Sequence, residues 1–383
     1  MASQFTKAKI AIVGAGLMGR LLAVALAQRG AAVDIFDQGD REANGAAARI
    51  AAAMLAPLAE SAITEDSVVQ MGVYSLPRWK ELIGQLSNPV FFQQDGTLIL
   101  WHRQDASEAE RFRGHLEKNC RHNSQLALPQ LLNGTELKSL EPSIADRFNQ
   151  GLYLPHEGQL DNRQLLNALL NELDLLKVNC HWHTEVDPLN LRANDQYQWV
   201  IDCRGNGAKN AWQTSENSLR GVRGEVLRLY APEVHLSRPT RLIHPRYPIY
   251  IAPKENDIYV VGATEIESED LSQMSVRSAM ELLSAVYTVH SGFAEARILE
   301  MATQCRPTLK NNLPEIRIQK DPGLTDLMMI NGLYRHGFMI SPAVLDSALE
   351  LLENDQSNTA LELGLSITSN AGNTTHAGVS VCA

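Results

Sequence analysis

Long apolar runs are missing from this chain. No stretch reaches the roughly 18 residues needed to cross a bilayer, so a membrane span is not expected. Basic clusters are missing too. The formal net charge is −10, and nothing in the sequence could track phosphates along a polymer, so nucleic acid is excluded as a partner. Cysteine is sparse and scattered. Cys120, Cys180, Cys203, Cys305 and Cys382 form no CxxC pair, which argues against a disulfide framework or a zinc site and for reduced thiols in a cytoplasmic protein. The opening residues Met1–Lys7 lack the apolar core and cleavage site of a secretion signal. What remains is an ordinary soluble composition, 44% hydrophobic and 20% charged, over 383 residues, enough for two or three structural units.

The most informative stretch is Ile10–Asp37. Ile10-Ala11-Ile12-Val13 reads as a strand, Gly14-Ala15-Gly16-Leu17-Met18-Gly19 as a tight turn opening a helix, and Val33–Asp37 as a second strand ending in an acid. Gly14 makes the turn, Gly16 lets the backbone approach a pyrophosphate, and Gly19 lets the helix lie close to the strand. The helix start offers unpaired N–H groups and partial positive charge to phosphate, and Asp37 stands where a carboxylate can accept from ribose hydroxyls. The motif predicts a dinucleotide without saying which one.

The rest of the chain supplies the organisation. Gly45–Pro57 is rich in alanine and reads either as a helix packed on the sheet or as a backbone lying flush against something flat. Thr64–Leu86 reads as a helix, Phe91-Phe92 with Gly96–Trp101 as a strand pair, Ser107–Cys120 as a surface helix and Gln130–Ile144 as a helical segment. Gly151–Leu154 is a short strand, and Asp161 is placed to cap a helix from Asn162 to about Leu176. Val178–His183 is a strand whose His181 and His183 have no carboxylate or cysteine at metal spacing, so no metal site is expected. Trp199–Ala208 is a strand entering a second glycine turn. Val222–Tyr230, Arg241–His244, Ile249–Ala252 and Ile258–Ala263 then read as an antiparallel sheet without crossover helices. Ser275–Val289 is a helix, Ala296–Gln304 and Leu327–Ile330 are strands, Asn331–Met339 a loop and Pro342–Glu353 a closing helix. Most of Asn354–Ala383, rich in Ser, Thr, Asn and Gly, is expected to be poorly ordered. Nucleotide elements spread over the whole chain around an antiparallel sheet favour FAD over NAD.

Several segments carry a resemblance. Ala51-Ala52-Ala53-Met54-Leu55-Ala56-Pro57, Glu157-Gly158-Gln159-Leu160-Asp161, Arg223-Gly224-Glu225-Val226, Val261-Gly262-Ala263-Thr264, Arg306-Pro307 and Tyr334-Arg335-His336-Gly337 follow the order of motifs in the glycine oxidase and D-amino-acid oxidase family, along most of residues 8–355. The chain resembles that family. The fold implied is α/β plus α+β: a Rossmann-like FAD-binding domain of the glutathione-reductase type with an antiparallel-sheet substrate domain. Residues 1–90, 151–215 and 325–355 would form the first domain and 91–150 with 216–324 the second, leaving 356–383 as a tail.

The resemblance also implies a site. FAD would be held by Gly14, Gly16, Leu17, Met18, Gly19, Asp37, Ala52, Ala53, Met54, Val186, Gly205, Gly332, Arg335, His336, Gly337, Phe338 and Met339. Arg306 would clamp a substrate carboxylate through two parallel hydrogen bonds, with Tyr250 assisting. Arg335 would complete the pocket or support the flavin carbonyls, and Met54 would line the ring face or pack in the core. His336 would bring charge near the flavin or sit exposed in a loop. The implied activity is oxidation of a small amine or amino acid by hydride transfer to flavin N5, with oxygen as acceptor and peroxide as product. The alternative is a flavoprotein that modifies a residue in a partner protein; the oligomeric state is open. Departures from the family pattern include Ala53 for a glycine, His336 for an asparagine, Asp202-Cys203-Arg204-Gly205 in the second turn and no serine in Ala46–Ala48.

Overall fold

A computed structural model describes Phe5 and residues 8–370, except 145, 194–195, 214–215 and 245–247. Strand β1 (Lys9–Val13) is apolar and buried from Ile10 onward, as befits a parallel strand covered on both faces. The glycine turn leads into helix α1 (Leu17–Gln28) and back to strand β2 (Ala32–Phe36), parallel to β1 with Ile12 opposite Ile35. A Cβ on Gly19 would lie 1.8 Å from the Gly14 carbonyl oxygen, so only glycine lets α1 start this close to the strand. Gly14 has φ +99° and faces the Cys203 carbonyl, which joins the first turn to the second.

β1 and β2 belong to a seven-stranded sheet. Its order is Ser366–Ser369, Glu315–Gln319, Asp326–Asn331, Trp199–Asp202, β1, β2, Asn179–His181. All pairs are parallel except Glu315–Gln319 with Asp326–Asn331. Three segments distant in sequence thus build one sheet. A second, eight-stranded sheet runs Arg297–Leu309, Leu219–Tyr230, Ile258–Gly262, Ile249–Pro253, Thr240–Ile243, Thr97–Trp101, Gln150–Leu154, Gln130–Asn133. It has its own core around Leu98, Leu227, Ile251, Val261 and Val286.

Several sequence expectations are corrected. The alanine run is not one helix. It makes a single helical turn α2 (Ala47–Ile50), an extended passage, the short strand β3 (Met54–Leu55) and a second turn α3 (Pro57–Glu60) before helix α4 (Asp66–Gly84). Phe92–Gln93 does not pair with Thr97–Trp101; it joins Gly158–Leu160 and β3 in a three-stranded sheet. Gln130–Asn133 is an edge strand, and only Gly134–Leu140 is α-helical in that segment. The second sheet contains one parallel pair, Thr97–Trp101 with Thr240–Ile243. Glu315–Gln319 belongs to the first sheet and Gln150–Leu154 to the second, so the expected boundaries at 324 and 151 shift.

One local expectation holds and two more are corrected. Asp161 caps the Asn162–Leu175 helix, accepting from the Arg163 and Gln164 N–H groups. The closing helix begins earlier than its proline suggests, at Gly337 rather than Pro342. Pro342 has no N–H for the Phe338 carbonyl, and the Trp79 indole takes that acceptor at 2.6 Å instead. The tail is also corrected. Asn358–Leu363 is a helix and Ser366–Ser369 a strand at the edge of the first sheet; residues 371–383 lie outside the described residues. Leu365, between them, is 6% exposed. Leu365→Ala is therefore predicted to cost about 2–4 kcal/mol in urea unfolding, as for a core leucine, where a loose tail would show none.

Candidate functional site

The two sheets share a cavity of about 1340 Å³. It runs from the first glycine turn, past Ala51–Met54, to Tyr250, Arg306 and Arg335 on the second sheet and closing segment. That exceeds the roughly 300–1,000 Å³ of a single small-molecule pocket and suits a dinucleotide with a small substrate.

At the turn end, Gly14, Gly16, Leu17 and Met18 line the wall. Gly16 is the N-cap of α1 and offers no capping side chain, so the first-turn N–H groups are left for an anion. Asp37 lines the cavity, and its carboxylate also ties the turn together, accepting from Ala15 N at 2.6 Å and Gly39 N at 2.7 Å. The Asp37 carbonyl accepts from Thr184 N, which brings Val186 to the same end. Gly205, in the second turn, lines the wall beside Cys203, while Arg204 is turned to Asp202. Two predicted residues are supports, not wall. Gly19 packs on Gly14, and Gly332, at φ +79°, lets the chain pass Leu309, where a Cβ would come within 2.7 Å. Gly337, Phe338 and Met339 line the cavity as the first turn of their helix, again with no side-chain cap. Two open helix starts and a glycine cradle fit the phosphates and polar ring edge of the expected cofactor.

Between these ends lies Ala52-Ala53-Met54, all three lining the cavity; Met54 also packs on the cluster around Ala59 and Val69. Ala53 has φ +52°, a left-handed conformation that costs an L-residue about 1–2 kcal/mol and explains why the related motif carries glycine. Sequence reasoning missed the group behind it. Lys254, 7% exposed, donates from Nζ to Ala52 O at 2.9 Å, Gln159 Oε1 at 3.0 Å and Leu160 O at 2.7 Å. Burial pulls its pKa down to about 7.

Three guanidiniums surround Tyr250 at the far end, while Arg277 lines the cavity from the exposed side of the Val276–Val289 helix. Arg241 Nη2 donates to Glu60 Oε1 at 2.8 Å. Arg335 pairs with Glu265 at 2.9 Å and with Glu60 Oε2 at 3.3 Å. Arg306 has no such partner. It donates only to the Arg223 and Thr264 carbonyls, at 3.3 and 3.2 Å, and no described carboxylate comes within ion-pairing distance. Gly224 makes room for it: a Cβ there would lie 2.5 Å from the guanidinium. Tyr250 stands in the same wall, its hydroxyl packed over Gly262, and burial raises its pKa. Glu60, Arg241 and Glu265 were not singled out from sequence. Glu60 follows the alanine run and looks like any helix-end acid.

His336 is neither an exposed loop residue nor a charge near the ring at neutral pH. It is 5% exposed, 3.5 Å from Glu60 Oε2, and burial lowers its pKa to about 4 despite that carboxylate, with Arg335 and Arg241 adding to the lowering. Its folded pKa lies below the unfolded value, so its contribution is complete above pH 6.5 and is lost as pH falls through 4. The stability advantage of wild type over His336→Asn is therefore predicted to shrink across that window by roughly 1–3 kcal/mol in urea unfolding. A pH-independent difference would contradict the buried neutral imidazole.

Comparisons with known proteins agree with this geometry. A family model described as FAD dependent oxidoreductase matches residues 9–344. A protein named as a thiamine biosynthesis oxidoreductase, ThiO, of Rhizobium etli is 34% identical over 353 residues, covering 91% of this chain and 97% of its own length. The glycine oxidase of Geobacillus kaustophilus is 24% identical over 92% of this chain and 94% of its own. Among solved structures, iminodiacetate oxidase from Chelativorans sp. BNC1 superposes with a TM-score of 0.77 at 21% identity, covering 94% of this chain and 99% of that one. Glycine oxidase from Bacillus cereus gives 0.78 at 20%, covering 93% and 98%. The chain belongs to the FAD dependent oxidoreductase family and is an enzyme with FAD as its cofactor.

Proposed function

We propose that this enzyme oxidises a small primary or secondary amino acid, in the manner of a glycine oxidase. The observation that carries the reading is Arg306. Of the three guanidiniums around Tyr250, Arg241 and Arg335 are neutralised by Glu60 and Glu265, and Arg306 is left to meet an anion. A guanidinium held by two backbone carbonyls is fixed in direction and can take a carboxylate with its remaining N–H groups. Tyr250 adds a hydroxyl donor from the strand Ile249–Pro253 of the same sheet. The relatives named for glycine and iminodiacetate support a substrate with a carboxylate next to an amine.

FAD would be held with its phosphates at Gly14, Gly16, Leu17 and Met18, its ribose by Asp37 and Val186, and its ring against Ala52, Ala53, Met54 and the Gly337–Met339 turn. Bound there, FAD supplies the two-electron acceptor for a hydride from the substrate α-carbon, with oxygen as the final acceptor and peroxide as product. The protein's own task is to orient. Arg306 and Tyr250 fix the carboxylate, and the apolar wall of Ala52–Met54 limits water near the α-carbon. The neutral amine loses its α-hydride to give an iminium, which releases a proton and is hydrolysed by water to the oxo acid and ammonia or amine. Because the amine reacts in its neutral form, no protein base is assigned. The free cysteines among the described residues, Cys120, Cys180, Cys203 and Cys305, support a cytoplasmic setting. No described helix is long and apolar enough to cross a membrane.

Arg306→Leu is predicted to raise KM for glycine or sarcosine about 100-fold or more, and to change kcat much less, in a peroxide-release assay. Arg306→Lys retains the charge without the fork and falls between. An unchanged KM would remove Arg306 from substrate binding.

A further inference from the structure

Lys254 has no place in the chemistry above, yet it is almost fully buried. Its Nζ uses all three donors of an ammonium, on Ala52 O, Gln159 Oε1 and Leu160 O. It does not line the cavity; it stands behind the segment that does.

The position of these bonds matters more than their number. A residue's φ and ψ are the rotations between its two flanking peptide planes. The plane before Ala53 carries the Ala52 carbonyl, held by Lys254 at 2.9 Å. The plane after it carries the Ala53 carbonyl, held by Leu160 N at 3.1 Å. Leu160 in turn gives its own carbonyl to Lys254 at 2.7 Å. Both planes are thus fixed to one short strand, Gly158–Leu160, and the residue between them is the alanine at φ +52°. Such a conformation persists in an L-residue only where its surroundings over-determine it.

We propose that Lys254 is a positioning residue for the cofactor: it holds the Ala52–Ala53 peptide so that Ala53 stays left-handed and Ala52–Met54 keeps the shape that meets the FAD ring. This rests on the reading of Ala52–Met54 as the ring's wall. Lys254 acts through the backbone and touches no reacting atom.

The mechanism has a signature that a purely structural lysine, or a purely electrostatic one, lacks. Glycine adopts positive φ without the Cβ penalty, so Ala53→Gly makes the clasp dispensable. The test compares wild type, Lys254→Met, Ala53→Gly and the double variant, each stripped of flavin and titrated with FAD by fluorescence and visible absorption. Far-UV circular dichroism checks the fold. Lys254→Met is expected to weaken FAD binding about tenfold or more, equivalent to about 1.4 kcal/mol. In the Ala53→Gly background the same Lys254→Met change is expected to weaken FAD binding by no more than about threefold, relative to Ala53→Gly alone.

The proposal is overturned if Lys254→Met binds FAD as wild type does. It is equally overturned if Lys254→Met weakens FAD binding as much in the Ala53→Gly background as in wild type, since the lysine then acts by charge or packing and not through Ala53. If Lys254→Met yields no folded protein, the double variant decides: folded, FAD-binding protein supports the clasp, and an unfolded one overturns it. A wild type that takes up no FAD would instead overturn the reading of the cavity, a result distinct from any of these.

Discussion

A single buried carboxylate organises the reactive end of this enzyme. Glu60 closes a short helical turn in the first third of the chain, meets Arg241 from the second sheet and Arg335 from the closing segment, and lies beside His336. Burial alone would raise its pKa; those cations overcome it and bring the carboxyl down to about 2. An ion cluster of this kind is poor evidence of stability, because desolvation opposes the attraction. Its consequence is one of sorting. It consumes two of three guanidiniums and leaves Arg306 unneutralised in the wall. In the proposed reading, selectivity for an anionic substrate follows from which charges are already satisfied.

A second constraint is backbone shape. The glycine turn places α1 against the sheet so that its open N-terminus meets the cavity, and the clasp around Ala53 shapes the middle of the wall. Both devices act on main-chain geometry. In the proposed reading, side chains choose the substrate and the backbone receives the cofactor.

How much of this was legible depends on the distance over which each feature is determined. The β1–α1–β2 unit and the Asp161 cap are local, set by residues a few positions apart, and they were readable. Strand partners were not. Phe92–Gln93 and Thr97–Trp101 are neighbours in sequence, yet they join different sheets because their partners lie far along the chain. Ser366–Ser369 was hidden by composition: a half-exposed edge strand needs little apolar surface, so its serines and threonine read as tail. Pro342 hid the true start of the last helix, because the rescue of the Phe338 carbonyl comes from Trp79, more than two hundred residues earlier. At the site, Arg306, Tyr250 and Met54 were found through the motif resemblance, and all three line the cavity. Glu60 and Lys254 were missed, since what distinguishes them is burial among distant partners, and neither has a local signature.

The central claim is that an unpaired Arg306 makes this FAD enzyme an oxidase of amines bearing a carboxylate. The most direct measurement is anaerobic bleaching of the bound flavin by glycine and sarcosine, each compared with its amide, which keeps the amine and α-hydrogen but loses the anion. The account predicts that at least one of the acids bleaches the flavin and that its amide does so about 100-fold less effectively or worse. Equal bleaching by acid and amide, or none by any amino acid tried, would contradict it.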